Sequence, residues 1–190
     1  NDYLKEGIAH TLDETRNLSD SGQFEDISLQ QGIRQILYPY EEMEVLNPEW
    51  EVILKDIIDS LFEQMSDEEY NILNEEFGTY MVSRAYEYRQ LLEYLVFRYF
   101  AKSIYDYDFL GKCQMLVTNF FVIRQMDIIR WLDNHREYSF KDRMDVVHIF
   151  SRQVEYSEDN IENLYEDFIF DDIFKTDSLI AILWIDSENI

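Results

Sequence analysis

Cysteine, proline and glycine are scarce in this chain of 190 residues, which holds one, two and five of them respectively. With Cys113 alone, the chain forms no internal disulfide and builds no cysteine-based metal site by itself. Few glycines and prolines disfavour a fold of many tight turns and favour long helices. We therefore predict an all-α fold, an irregular bundle of about seven to nine helices.

Basic residues are also scarce: sixteen Lys and Arg stand against forty Asp and Glu, for a net charge of −24. Such an acidic chain lacks the basic surface that nucleic acids and anionic membranes require. Charged or polar residues interrupt the apolar runs, so we expect no membrane span, and no secretory signal stands at the N-terminus. We expect a cytoplasmic protein. The interrupting residues include Arg98, Asn119, Arg124 and Asp127.

The few basic residues are concentrated in the middle of the chain. Residues 81–154 carry eleven Lys and Arg against nine Asp and Glu, whereas the remainder carries five against thirty-one. Basic residues here interrupt apolar stretches, where an unpaired charge is costly. We divide the chain into an acidic N-terminal helical segment, residues 1–82, and a C-terminal helical core, residues 83–190. The two also fit one continuous domain.

Capping residues predict where several helices begin. Asn47 before Pro48 is a typical helix start, and Ser66 with Glu69 forms a capping box. Further starts are expected at Asp106 or Asp108, and at Ser139 and Ser157.

Other patterns predict helix ends and burial. We expect a first helix over residues 3–18, a loop over 19–23, and helix ends near Pro39 and Gly78. Residues 91–97 are apolar almost all round, which predicts a buried helix. The tail over residues 178–185 is apolar and predicted to be helical.

Two basic residues in the central block are candidates for ligand binding. Arg98 and Lys102 lie four residues apart on one predicted helix and therefore share a face. Asp106 follows one turn later and would pair with Lys102 if the helix continued. One interpretation is a pocket for an anion or carboxylate. The other is that both side chains cover aromatic neighbours and keep their charges in water.

Two further pairs have the spacing of ion pairs within one helix. Arg124 and Asp127 interrupt the apolar residues around them, and Arg152 precedes Glu155 by three positions. Both pairs are predicted to be structural, and Arg130 is expected to be solvated or at an interface.

Asp145 and His148 form a carboxylate-x-x-His pair, but di-metal helical bundles need two such pairs. Since neither His10 nor His135 completes a second, we predict no metal site. An aromatic series at helical spacing is predicted to lie mainly in the core, although stacking on a flat ligand stays open. It comprises Tyr94, Phe97, Tyr99, Phe100, Tyr105, Tyr107 and Phe109.

Two stretches resemble the flagellin lysine-N-methylase family. Residues 93–106 read EYLVFRYFAKSIYD and resemble that family's characteristic helix, and residues 150–160 read FSRQVEYSEDN and resemble a later segment. The apolar residues 117–132, with Arg124, are similar in pattern. The resemblance covers residues 90–168, less than half of the chain.

The resemblance implies methylation of protein lysines, flagellin among them, with S-adenosylmethionine as the donor in the full-length protein. Members carry a cysteine cluster in their N-terminal part, which this chain with its single Cys113 does not match. It implies that this chain is the C-terminal helical part of a longer protein, or a relative without the chemistry, and we expect no catalysis by it alone. The matching residues are Arg98, Lys102, Asp106, Arg124, Arg152 and Glu155.

Three hypotheses follow. In the first, the domain supports binding of the substrate or of the methyl donor, with Arg98, Lys102, Asp106 and Arg124 as candidates and Asp127, Arg152 and Glu155 as structural residues. In the second, the chain is a non-catalytic interaction module, such as a homo-oligomer formed through residues 179–184. The third is a ligand-binding regulatory domain, which requires a cavity between helices.

Overall fold

The computed structural model describes residues 27–188, except for the side chains of Trp184, Ser187 and Glu188. The helix and loop predicted before residue 27 lie outside this part of the chain. None of the described residues forms a strand, and the predicted all-α fold is confirmed.

The helices follow one another with short connections. They are α1 (Leu29–Glu41), α2 (Pro48–Ile57), α3 (Asp67–Met81), α4 (Ala85–Phe100), α5 (Ser103–Asp106), α6 (Phe109–Asp133), α7 (Phe140–Phe150), α8 (Glu158–Phe170) and α9 (Thr176–Glu188). Wide π-helical turns extend α2 and α7, over Ile58–Glu63 and Ser151–Glu155. Single 3₁₀ turns follow α3 and α8, over Val82–Arg84 and Asp172–Phe174.

The predicted helix starts are confirmed. The Ser66 side chain accepts a hydrogen bond from the Glu69 backbone, and the Glu69 carboxylate accepts one from the Ser66 backbone. This reciprocal pair satisfies two N–H groups that a helix start otherwise leaves without partners. The remaining predicted caps are also formed, at Asn47, Asp108, Ser139 and Ser157.

Two helices continue for two or three residues past the positions near which they were predicted to end. Helix α1 passes Pro39 and ends at Glu41, and α3 passes Gly78 and ends at Met81. Pro39 lies in the last turn of α1, where its missing N–H removes only one helical hydrogen bond. A glycine within a helix costs about 1 kcal/mol. Burying the Met81 side chain gains roughly 1.5–3 kcal/mol and outweighs that cost.

Helix α6 forms the centre of the bundle. Residues 121–129 are all buried, and α1, α2, α4, α7, α8 and α9 pack around this helix. One continuous apolar core runs from Leu29 to Ile182. It joins the two segments into which the sequence was divided.

The C-terminal helix α9 belongs to this core. Leu179, Ala181 and Ile182 are buried, and α9 packs against α1. A Cβ atom at Gly32 would lie 2.9 Å from side-chain carbons of Ile182, so a larger residue there would require the Ile182 side chain to shift. These three residues are packed inside the chain and are not available to a partner, and a dimer through residues 179–184 stays a prediction.

Helix α4 lies at the edge of the bundle and buries only one side. Leu91, Leu95 and Tyr99 face α6, whereas Val96 and Phe97 are exposed, the latter at 83%. The prediction that residues 91–97 are buried on all sides is therefore wrong, because no further helix among the described residues covers the outer side. Other members of the predicted core aromatic series are also exposed, namely Tyr94, Tyr105, Tyr107 and Phe109.

Candidate functional site

The structure does not bring the four predicted ligand-binding residues together. Arg98 is half-buried at the edge of α4, where its guanidinium donates to the backbone carbonyl of Glu155 at 3.3 Å. Its Nε lies 3.9 Å from the Glu155 carboxylate. Arg98 therefore joins α4 to the π-helical turn after α7.

The predicted pair of Lys102 and Asp106 is wrong. Helix α4 ends at Phe100, so the two residues are not successive positions on one long helix. The Asp106 carboxylate instead accepts from Nζ of Lys112, at 2.9 Å, and Lys102 is exposed. The Lys112 hydrogen bond holds the pKa of Asp106 below its ordinary value.

Arg124 is buried and does not pair with Asp127. Its guanidinium donates to the side-chain oxygen of Asn74 at 3.1 Å and lies 3.5 Å from the Asp186 carboxylate of α9. Burial raises the pKa of Asp186, and Arg124 opposes that rise. Arg124 is reached by Asn74 of α3 and Asp186 of α9, whereas Arg143 of α7 reaches Asp127, so different helices face the two residues.

Asp127 is the centre of a buried polar network between α4, α6 and α7. Its carboxylate accepts from the Tyr88 hydroxyl at 2.7 Å, and also from the Tyr138 hydroxyl and the Arg143 guanidinium. Arg143 also contacts Glu87 at 3.4 Å and lies over the Tyr88 ring. Burial raises the pKa of Asp127 despite the attraction of Arg143. These contacts give the network a structural role.

The predicted pair of Arg152 and Glu155 is also wrong. Both lie in the π-helical turn, whose wider spacing moves positions i and i+3 off one face. Glu155 is buried and accepts from the hydroxyls of Ser151 at 2.6 Å and Tyr94 at 2.8 Å. Arg152 is exposed, and no described residue forms an ion pair with it.

A surface cleft opens where α2, α6 and α7 meet, and we call it the α2–α6–α7 cleft. Its volume is about 630 Å³, within the range of ligand pockets. It is lined by Glu49, Val52, Ile53, Asp56, Met126, Ile129, Arg130, Asp133, Asp145, His148, Ile149 and Arg152.

The charged side chains of the cleft are free to meet a ligand. Four carboxylates and two guanidinium groups line it, and none of them forms an ion pair with another described residue. Apolar side chains from all three helices lie among them, including the buried Ile129 and Ile149. The cleft therefore offers negative charge and apolar surface together. The carboxylates belong to Glu49, Asp56, Asp133 and Asp145.

The sequence contains a signal for this cleft, namely the spacing of the lining residues along each helix. Asp145, His148 and Arg130 stand out in the sequence, whereas Glu49 and Asp56 belong to no motif there. Each helix contributes residues at the spacing i, i+3, i+4 and i+7, which marks one helical face. The sets are residues 49, 52, 53 and 56 on α2 and residues 126, 129, 130 and 133 on α6. The third set is residues 145, 148 and 149 on α7 with residue 152 in the π-helical turn that follows it.

Neither a metal nor the methyl donor has a recognisable site among the candidates. Within residues 27–188, no group of three or more His, Cys, Asp or Glu side chains is arranged to hold a metal ion. Since Arg124 and Asp106 have partners of their own and lie apart from Arg98, the residues proposed for S-adenosylmethionine do not fit one binding pocket. No helix in the same part of the chain is long and apolar enough to cross a membrane.

The fold and the cleft define a class: an all-α domain with an open cleft lined by charged residues. The family described as the FliB lysine N-methylase C-terminal domain matches residues 1–182, and the chain belongs to this family. The resemblance inferred from the sequence is thereby confirmed and extends to nearly the whole chain. No curated protein and no solved structure matches the chain.

Proposed function

We propose that this domain docks the lysine-bearing substrate of a protein-lysine methylase, in the α2–α6–α7 cleft. The substrate is a protein with exposed lysines, such as a flagellin, and the cell compartment is the cytoplasm. The observation that carries the proposal is the set of unpaired carboxylates in the cleft of a lysine N-methylase C-terminal domain.

A lysine side chain matches both chemical features of this cleft. Its ammonium group forms strong charge-assisted hydrogen bonds with carboxylates, and its four methylenes pack favourably on apolar surface. Glu49 and Asp56 on α2, Asp133 on α6 and Asp145 on α7 line the same cleft as the apolar Ile53. A lysine can therefore lie along the apolar residues with its charge among carboxylates.

The charge of the whole domain supports the same substrate class. At −24, the chain attracts cationic segments over distances of about a Debye length, roughly 8 Å at physiological salt. Such attraction raises the rate of encounter and selects against acidic partners.

S-adenosylmethionine is proposed as the methyl donor of the full-length protein. We assign no step in the transfer to Arg98, Lys102, Asp106 or Arg124, because they do not form one pocket. The role proposed for this domain is to bind and orient the substrate.

The test is methyl transfer by the complete gene product to a lysine-bearing protein, with the double variant Asp56→Asn/Asp145→Asn. Losing two cleft carboxylates should raise KM for the protein substrate by roughly 10-fold with little change in kcat, since binding is weakened more than chemistry. Unfolding should be unchanged, because these side chains have no ion-pair partner among the described residues.

The matched control is Glu75→Gln/Glu162→Gln, which removes the same charge from exposed positions of α3 and α8 outside the cleft. It should leave KM within about 2-fold, because long-range attraction alone is screened by salt. Equal effects of the two double variants would reduce the cleft to a part of the general acidic surface and contradict the proposal.

A further inference from the structure

The outer side of α4 carries an apolar groove that none of the described residues fills. The groove has a volume of about 510 Å³, and almost all of the surface that lines it is apolar. It is lined by Ala85, Tyr88, Arg89, Leu92, Glu93, Val96 and Phe97. Apolar surface of this kind on a soluble domain typically marks an interface.

Two rows of side chains form this side of α4. The first row, at intervals of four residues, is Ala85, Arg89, Glu93 and Phe97. Tyr88, Leu92 and Val96 form the adjacent row. Rows at this spacing are the ridges that pack into the grooves of a facing helix.

The first row is complementary to itself when reversed. Read forwards, it presents a small, a basic, an acidic and a large aromatic residue. An antiparallel copy presents them in the opposite order, so Ala85 faces the partner copy's Phe97 and Arg89 faces the partner copy's Glu93. A single twofold axis, opposite position 91, satisfies both pairings. Such reciprocal contact is the property of a symmetric dimer interface.

Charge favours the same occupant at this site. Two copies of a chain with a net charge of −24 repel each other, but residues 81–154 carry eleven basic against nine acidic residues. Helix α4 itself carries two basic and two acidic residues, so the two contacting helices add no net repulsion of their own. Arg89 and Glu93 are exposed, at 80% and 59%, and pair within one chain at 2.9 Å, so they can exchange partners across the axis.

We propose that two copies of this chain form an antiparallel, twofold-symmetric dimer through the outer side of α4. Arg89 of each copy pairs with the partner copy's Glu93, and Phe97 of each copy fills the space above the partner copy's Ala85. This inference does not depend on the proposed substrate-docking role of the cleft.

Sedimentation velocity on the 190-residue chain tests the proposal. The expected mass at high concentration is twice the chain's 23.1 kDa. Arg89→Glu or Glu93→Arg places like charges across the axis twice and should weaken dimerisation by at least ~10-fold. The double variant Arg89→Glu/Glu93→Arg restores opposite charges and should recover the wild-type dissociation constant to within ~3-fold.

A second pair of variants tests the shape of the interface rather than its charge. Phe97→Ala should weaken the dimer, and Ala85→Phe/Phe97→Ala should restore it, because the swap preserves the facing of a small and a large residue. Lys141→Glu changes an exposed charge on α7 and should have no effect. A monomer at all concentrations, or a double charge variant that is no better than the single ones, would overturn the proposal.

Discussion

Helices α6 and α7 carry charged residues on two sides, one buried inside the bundle and the other lining the α2–α6–α7 cleft. On one side, Asp127 and Arg143 are buried and form an ion pair that two tyrosine hydroxyls complete. On the other, Asp133 and Asp145 line the α2–α6–α7 cleft, and no described residue forms an ion pair with either.

Burial decides whether each of these charged residues has a structural role or is available to a ligand. A charge removed from water costs several kcal/mol unless a partner compensates it, so the charges on the buried side are structural. An exposed charge stays solvated and needs no partner, which leaves it available to a ligand. Residue type and spacing along a helix do not separate these two cases.

The largest effect is expected from Asp127→Ala. This change leaves Arg143 buried without its main partner and should lower the free energy of unfolding by roughly 3–5 kcal/mol. Asp133→Ala, on the same helix but in the cleft, should change it by less than about 0.5 kcal/mol. Urea unfolding followed by circular dichroism measures both. Similar losses for the two variants would remove the distinction between the sides.

An intermediate effect is expected from Arg124→Ala, which removes the partner of the buried Asp186. The cost should be about 2 kcal/mol at neutral pH, less than for Asp127→Ala. Burial already raises the pKa of Asp186, with Arg124 opposing the rise, so the carboxyl left behind can take up a proton.

The sign of the pH dependence follows from that proton. Without Arg124, the folded variant holds a proton on Asp186 at pH values where the unfolded chain has lost it. The stability of the variant therefore falls as pH rises above the ordinary carboxyl range, about pH 4. The difference between wild type and Arg124→Ala should be smaller at pH 5 than at pH 7. A difference that grows on acidification would show that Asp186 is not the group involved.

A smaller effect is expected at the start of α7, which positions both sides. Ser139→Ala removes half of a capping box and should cost about 1 kcal/mol. Burial acts to raise the pKa of Asp142, but hydrogen bonds from Ser139 outweigh it and hold the pKa below its ordinary value. The contribution of the cap is therefore present at neutral pH and lost as pH falls below the ordinary carboxyl range. Equal stability of the variant at pH 7 would contradict this.

The smallest effect concerns Cys113 on α6, whose side chain is partly buried and so lies between the buried and the exposed cases. Burial raises the pKa of its thiol, and Asp108 adds to the rise. Because the thiolate is the reactive form, alkylation by iodoacetamide should reach its half-maximal rate above the ordinary value of about 8.5. The same chain unfolded in urea is the control and should titrate at the ordinary value. Identical profiles would mean that partial burial does not affect this thiol.

Features set by a few neighbouring residues were predicted well. Ser66, Ser139 and Ser157 cap helices as expected, because a cap needs only a hydroxyl and the backbone two or three residues later. The all-α fold follows similarly from long helical patterns with few breaks.

Features that depend on which helices meet were predicted poorly. Arg124 and Asp127 have the spacing of an ion pair but do not form one. Asn74 and Asp186 contact Arg124 instead, and Arg143 contacts Asp127. The outer side of α4 looked buried because an apolar helix does not reveal how many neighbours it has. The cleft could not be predicted for the same reason. The sequence of each helix indicates its polar face but not which helix lies opposite.

The sequence by itself determined the helices, their caps, the acidic character of the chain and the balanced charge of its middle part, because each depends on composition or on residues within one turn. Only the tertiary structure decided that Asp127 is structural, that Asp145 lines a cleft and that Phe97 is exposed. Partners and burial come from residues far apart in the chain, and packing alone brings them together.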